Sequence, residues 1–193
     1  MKSFMIGIGV ILLVVFLGGC WYIGQVNALV KLDEDCKEAF SGIDTDLQRR
    51  NDLIPNLVAT VKGYATHEET VFTNIADARS KLAGGNLTPA EKAEADAALT
   101  SSLSRLLVIA ENYPELKANE NFIRLQDELA GTENRLKVSR KNYNEMVKIY
   151  NTRIRQFPGS FIASSRGLTE RPYFEPPQGH AAVENAPTVD FNK

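Results

Sequence analysis

Apolar side chains return at alternating steps of four and three from Cys36 onward. That period fits one face of an α-helix and excludes a strand, whose inward residues alternate every second position. One seven-residue ladder reads Phe40, Leu47, Ile54, Val61, Glu68, Ile75 and Leu82. Its companion reads Cys36, Ile43, Arg50, Leu57, Tyr64, Val71 and Ala78. A second stretch repeats at Phe122, Leu129, Leu136, Tyr143, Tyr150 and Phe157, beside a softer ladder of Leu125, Thr132, Ser139, Met146 and Arg153. A helix with one apolar stripe must bury it against another element. Strict sevens favour left-handed supercoiling against a neighbour. The pattern predicts an all-α fold, an antiparallel up-and-down bundle of long helices.

The stretch RRNDLIPNLV, Arg49 to Val58, tests that reading. A proline in a helix interior costs roughly 3 kcal/mol. Yet the ladder keeps its phase through Pro55, with Ile54, Leu57 and Val61 where the register demands them. The spacing predicts one helix from about residue 24 to 83, roughly 90 Å long, kinked near 51–55. The alternative makes Asp52 an N-cap and Pro55 an early-turn residue of a new helix. Gly84-Gly85-Asn86 then ends the helix, and Thr88-Pro89-Ala90-Glu91 starts another with a capping box. That second helix reaches about Ala110, with Leu99, Leu103 and Leu106 inward, and Tyr113-Pro114 breaks the chain again. Phe157-Pro158-Gly159 closes the long helix, and a short one follows in Phe161 to Ser165. From Arg171 the chain is Pro-rich and aperiodic, which predicts a flexible tail. The expected division is an anchor over 1–25, the bundle over 26–165 and the tail over 166–193.

The anchor rests on the residues after Lys2, since the next charge is Lys31. Phe4 to Ile23 is essentially all apolar or Gly, and about 20 such residues span a bilayer's hydrocarbon core. Trp21 and Tyr22 sit where an aromatic belt would place them. A second reading competes: Phe16-Leu17-Gly18-Gly19-Cys20 resembles a lipobox, which would remove the first 19 residues and put lipid on Cys20. A plain cleaved secretory signal is the third. Lys2 on one side and Lys31 and Lys37 on the other nearly tie under the positive-inside rule. The lipobox context favours the outer face, so the expected location is a bacterial cell membrane, single-pass, with the bundle outside.

Chemistry is harder to find. With 44% apolar and 24% charged residues and a formal net charge of -2, nothing suggests a nucleic-acid footprint. Cys20 and Cys36 lie roughly 24 Å apart along one helix, too far for a disulfide. The two histidines, His67 and His180, lack the partners of a metal motif, and no nucleophile and base pair announces itself. Metal, cofactor and catalytic residues are therefore expected to be none. The anomalies are polar residues on the seams: Arg50, Glu68, Thr132, Ser139 and Arg153. They form either a polar layer that fixes register, or a groove between helices with Arg50 as a carboxylate or phosphate clamp. Arg49, Asp52 and Asn56 would line its rim. Tyr143-Asn144 and Tyr150-Asn151 repeat seven residues apart, with the tyrosines packed, hydroxyls at the rim, and the asparagines as a hydrogen-bonding stripe. Asp33-Glu34-Asp35 reads as a solvated juxtamembrane face.

Several segments together resemble the LemA family of bacterial membrane-anchored helical proteins. They are Arg49 to Val58, then Val61-Lys62-Gly63-Tyr64 and His67-Glu68, then Glu111 to Asn119 with Phe122. A third block holds Leu125-Gln126, Glu128-Leu129, Thr132 to Arg135, Arg140, Tyr143-Asn144, Tyr150-Asn151 and Phe157-Pro158. The resemblance runs from about Asn27 to Phe174. It implies a transmembrane helix and a four-helix bundle of bromodomain-like topology, and it supplies no catalytic residue. Leu17-Gly18-Gly19-Cys20 departs from the usual family anchor. The expected function is a non-enzymatic, membrane-anchored scaffold or adaptor for other envelope or membrane proteins, with homo-oligomers allowed. A small-ligand or lipid sensor around Arg50 is the alternative. The candidate binding residues are Arg49, Arg50, Asp52, Pro55, Asn56, Glu68, Tyr113, Pro114, Asn144 and Asn151, with Cys20 the candidate for lipidation.

Overall fold

The computed structural model describes the backbone of residues 2–65, 67–85 and 87–175, and side chains from residue 6 onward within them. Every regular element among them is a helix: α1 (Lys2–Lys62), α2 (Glu69–Leu82), α3 (Pro89–Ala110), α4 (Pro114–Lys117), α5 (Glu120–Arg155) and α6 (Gly159–Arg166). The all-α class stands.

Helix α1 runs unbroken through Pro55, so Asp52 caps nothing. The proline ring lies on the exposed face and stays out of the core. The single helix expected to residue 83 is nevertheless two helices, because α1 stops at Lys62. Gly63 follows, the poorest helix former after proline. The amides of Tyr64 and Ala65 both turn back to the Val61 carbonyl. Residues 63–68 separate the two helices, and Val61 to Ile75 spans two whole heptads. The seam therefore keeps its phase across the turn, and periodicity alone is blind to it. Two ladder positions leave the core as a result. Tyr64 is exposed, and Glu68 is the half-buried N-cap residue of α2, with no side-chain cap bond.

Helix α3 begins as expected. The Thr88 hydroxyl accepts from the Glu91 amide at 3.3 Å, and the Glu91 carboxylate accepts from the Thr88 amide at 2.7 Å. Helix α5 ends at Arg155, and Phe157, expected on the buried ladder, is 82% exposed in the turn beyond. The partner ladder drifts as well. Val147 and Ile154 are buried where Met146 and Arg153 were expected, and those two are half-buried. A straight helix slips about 20° per heptad against a repeat of seven, which moves the seam to the next residue. Helix α6 opens on Gly159 and closes on Gly167, whose φ of 65° suits the left-handed C-cap.

The described chain divides into two compact units. One comprises Met1–Phe40 with Asn142–Arg171. Its core holds Val26, Leu29, Cys36, Tyr143, Val147, Tyr150, Ile154 and Ile162. Among the described helices, α1 is the one long and apolar enough to cross a membrane. Its side chains from Ile6 to Leu17 stand clear of the rest of the protein, and burial begins at Val26. The other unit comprises Ser41–Lys141 with Pro172–Lys193. There Ile43, Leu47, Ile54, Leu57 and Val61 of α1 are buried, with Phe72 and Ile75 of α2, Leu99 and Leu106 of α3, and Phe122 and Leu136 of α5. Helices α2 and α3 pack on each other.

Residues 171–175, expected as the start of a flexible tail, are held: Arg171 is bonded to Asn151 and Asp33, and Phe174 is buried. The rest of that tail, with His180, lies outside the described residues.

Candidate functional site

The most buried charges form a four-residue network. Arg50 on α1 is 5% exposed and Asp96 on α3 is 2% exposed. Arg50 Nη1 donates to Asp96 Oδ1 at 2.6 Å, and Nη2 donates to Thr100 Oγ1 at 3.0 Å. Arg140 on α5 donates to the second Asp96 oxygen, Oδ2. Glu133 completes the balance: its Oε2 is 3.0 Å from Arg50 Nη1, an ion pair outside hydrogen-bond geometry. Its Oε1 is 3.8 Å from Arg140 Nη1. Burial pushes the Asp96 carboxyl above its ordinary value, the arginine charges pull it back, and the balance stays upward. Two cations and two anions balance within the network. Arg50 faces its own protein's acid, as a polar layer would have it. Thr132 and Ser139 agree, the first donating back to the Glu128 carbonyl and the second to Asp46 Oδ2 at 2.7 Å. Arg153 donates to Gln25.

Asp96 escaped the sequence reading, although a signal existed. It stands three before Leu99, with Leu103 and Leu106 following, so it lies on the apolar stripe of α3. An acid there needs a buried cation. Arg140 stood among the residues that carry the resemblance, without a role.

A second polar cluster sits in the unit that carries the N-terminal segment. Asn151, 2% exposed, donates through Nδ2 to the Arg171 carbonyl and accepts at Oδ1 from the Arg171 amide, both at 2.9 Å. Its side-chain amide thus acts as a strand edge for that residue. The Arg171 guanidinium reaches Asp33 Oδ1 at 2.6 Å and lies 5.8 Å above the Tyr150 ring. Asp33 is therefore paired rather than simply solvated. Tyr143 and Tyr150 are buried whole, so their hydroxyls are not at a rim. Burial pushes Tyr143 up to about 12 and raises the Cys36 thiol.

For Asp33 burial works upward, but hydrogen bonds from Arg171 and Lys37 outweigh it and hold the carboxyl below 3.8. Folding thus favours the ionised form. Its stabilisation is complete above the unfolded value and is lost as pH falls through the lowered one. The Arg171 Nε–H chemical shift should hold its position from about pH 7 to pH 5 and move only as the pH falls below the ordinary carboxylate range.

An open groove of about 880 Å³ lies between the last turns of α1 and helix α2. Ile54, Phe72 and Ile75 form its floor, and Pro55, Val58, Ala59, Thr73 and Ala76 its walls. Lys62, Glu69 and Arg79 are its charged residues. Lys62 lies 5.1 Å over the Phe72 ring, and Arg79 donates to Asn51 Oδ1 at 3.1 Å.

The remaining expected site residues do not converge. Arg49, Asp52 and Asn56 are exposed, and none of them lines the groove. Asp52 instead accepts from Gln48 at 2.8 Å. Only Pro55 of that set lines the groove. Tyr113 and Pro114 open α4 as N-cap and first-turn residues. Asn144 is half-buried, and Cys20 is exposed on the apolar part of α1. Tyr64 accepts from Asn119 at 3.1 Å, while Asn119 Oδ1 takes the amides of Asn121 and Phe122 at the start of α5. These shared-motif residues tie a loop to a helix start. Among the described residues no cluster of three or more His, Cys, Asp or Glu could hold a metal.

The chain is 25% identical to the magnetosome protein MamQ of Magnetospirillum gryphiswaldense, over 93% of this chain and 75% of that protein. It is 24% identical to magnetosome protein MamQ 2 of Paramagnetospirillum magneticum, over 82% and 68%. It is 24% identical to Protein LemA of Metamycoplasma hominis, over 76% and 67%. The LemA family model matches residues 39–191. That match takes in the Arg50–Asp96–Arg140 network and the groove, and with it the chain belongs to the LemA family.

Proposed function

We propose that this protein is a membrane-anchored, non-enzymatic scaffold that holds an amphipathic helix of another membrane-associated protein in the groove between α1 and α2. The groove itself carries the reading. It has an apolar floor, and small residues at Ala59, Thr73 and Ala76 let a second backbone approach closely. Charges at Lys62, Glu69 and Arg79 can fix the direction of an inserted helix. This is the helix-in-groove mode of recognition, in which apolar anchors supply affinity and rim charges supply register. The apolar stretch of α1 supports the anchor, and the sequence around Cys20 favours an outer-face location for the helices. The sensor alternative finds no support, because the Arg50 guanidinium is committed to Asp96, Thr100 and Glu133.

Photo-cross-linkers at Ala59 and Thr73, in intact cells, test the reading. Both should trap the same discrete protein, and filling the groove with Ala76→Trp should abolish the adduct while the fold is kept. A probe at exposed Val138 should not give it. An adduct that persists in Ala76→Trp, or a patternless smear, would overturn the groove as the binding surface.

A further inference from the structure

Helix α5 runs antiparallel to α1 in the unit that carries the apolar segment. The Tyr143 ring meets the Phe40 ring in a tilted contact at 5.3 Å, and ten residues on, Arg153 bonds Gln25. Continuing α5 therefore brings the chain down toward the apolar stretch of α1. The chain then turns at 156–158 and rises again as α6. Ile162 and Leu168 share a small cavity with Val26, Leu29 and Val30 of α1, just beyond the last apolar-segment residues. The lowest part of this loop is thus the α5–α6 turn and the first turn of α6. The end of α5 is tied to Gln25 through Arg153, and Gln25 follows shortly after Trp21 and Ile23, which are exposed on α1.

That turn displays two phenylalanines. Phe157 is 82% exposed and Phe161 is 67% exposed, while Ile162 and Ala163 face the core. Lone exposed apolar residues are ordinary. Two exposed aromatics in one turn and the helix start after it, close to the end of an apolar segment, are better accounted for by a bilayer interface. Basic side chains flank them. Arg155 and Arg166 are exposed, and Arg155 has a loose ion pair with Glu170 at 3.6 Å. Arg155 ends α5 just before the turn, and Arg166 lines the cavity with Val30 and Asp33, further along α1 from its apolar segment.

We propose that the α5–α6 turn is a second membrane contact. It is a foot in which Phe157 and Phe161 insert among the lipid headgroups beside α1, with Arg155 and Arg166 toward the phosphates. The occupant is lipid rather than protein because the patch continues the surface that α1 already offers to the bilayer. The proposal rests on the reading of α1 as an anchor. It adds that the unit next to the membrane lies on its surface and does not swing free on a single helix.

The chain has one tryptophan, Trp21, which makes the test direct. The full-length protein is reconstituted in vesicles containing lipids brominated high in the acyl chains. Phe157→Trp and Phe161→Trp are each made with Trp21→Phe, and helicity is checked by circular dichroism. The expected result is blue-shifted emission from both new tryptophans and strong quenching by the bromines, with neither effect for Val138→Trp in the same background. Wild-type Trp21 reports the anchor separately. Quenching of Trp21 without quenching at 157 or 161 overturns the foot and spares the anchor. An unquenched Trp21 overturns both. Blue-shifted but unquenched emission at 157 and 161 means that protein covers the patch, which also overturns the proposal.

Discussion

Asp96→Ala should lower the unfolding free energy by about 3–5 kcal/mol, the range for breaking a buried ion pair by removing one partner. The size follows from what stays behind. Asp96 serves two guanidiniums through separate oxygens, so its loss leaves Glu133 as the one carboxylate of the network for both Arg50 and Arg140. Arg140→Ala should cost less, because Asp96 keeps Arg50 at 2.6 Å and Thr100 still accepts from Arg50. Replacing the pair outright, as Arg50→Met with Asp96→Leu, should cost much less than Asp96→Ala, since no charge is left fully buried and the partly exposed Arg140 keeps Glu133 and solvent. Urea unfolding of the three variants measures this order. If the double variant loses as much as Asp96→Ala, the network does more than satisfy its own buried charges. A clamp for an external anion would give a different pattern, with Arg50→Met alone abolishing ligand stabilisation while leaving the fold stable.

Gly159→Ala is the other large effect, about 3 kcal/mol lost, at the upper end for overpacking. Two terms oppose each other. Alanine for glycine inside a helix normally gains roughly 0.5–1 kcal/mol. At Gly159, however, an added Cβ would run into the Arg153 carbonyl oxygen, a backbone atom at the end of α5. It can yield only if α6 moves off its seat, which would uncover Ile162 and Ala163. Gly131→Ala is the matched control. It is also helical, but its Cβ would meet nothing closer than the flexible Arg135 side chain at 3.7 Å. It should be neutral or slightly stabilising. Equal midpoints for the two variants would show that α6 has slack the structure does not display.

Much of this fold was legible because its signals are local and periodic. The Thr88–Glu91 box and the glycine stop at residues 84–85 announce helix ends by side-chain chemistry. The stripes at Leu47, Ile54 and Leu57, or Phe122 and Leu136, report a buried face directly. What failed did so for the same reason. A turn that preserves heptad phase is invisible to a seven-residue count, which hid the break after Lys62. The slip of α5 from Met146 to Val147 comes from a helix that is nearer 3.6 than 3.5 residues per turn. The site was legible only by halves. Arg50 stood out as a charge on an apolar ladder, but its partner did not, because an aspartate in an Ala-rich run reads as surface. Asn151 was noticed as a stripe-forming amide. Its partner, the Arg171 backbone twenty residues on, carries no pattern at all.

The charge network has a consequence for assembly. A heptad seam is degenerate, since sliding one helix past another by seven residues, about 10 Å, again sets apolar against apolar. Packing alone would let α1, α3 and α5 settle in several neighbouring alignments. Arg50, Asp96 and Arg140 occur at one height on three different helices, and none of those helices carries a second buried charge of the same kind one heptad away. A slipped alignment would drive at least one of the three into hydrocarbon without its partner. The cluster therefore works as an index mark: it adds little to the depth of the native minimum and removes its nearest competitors.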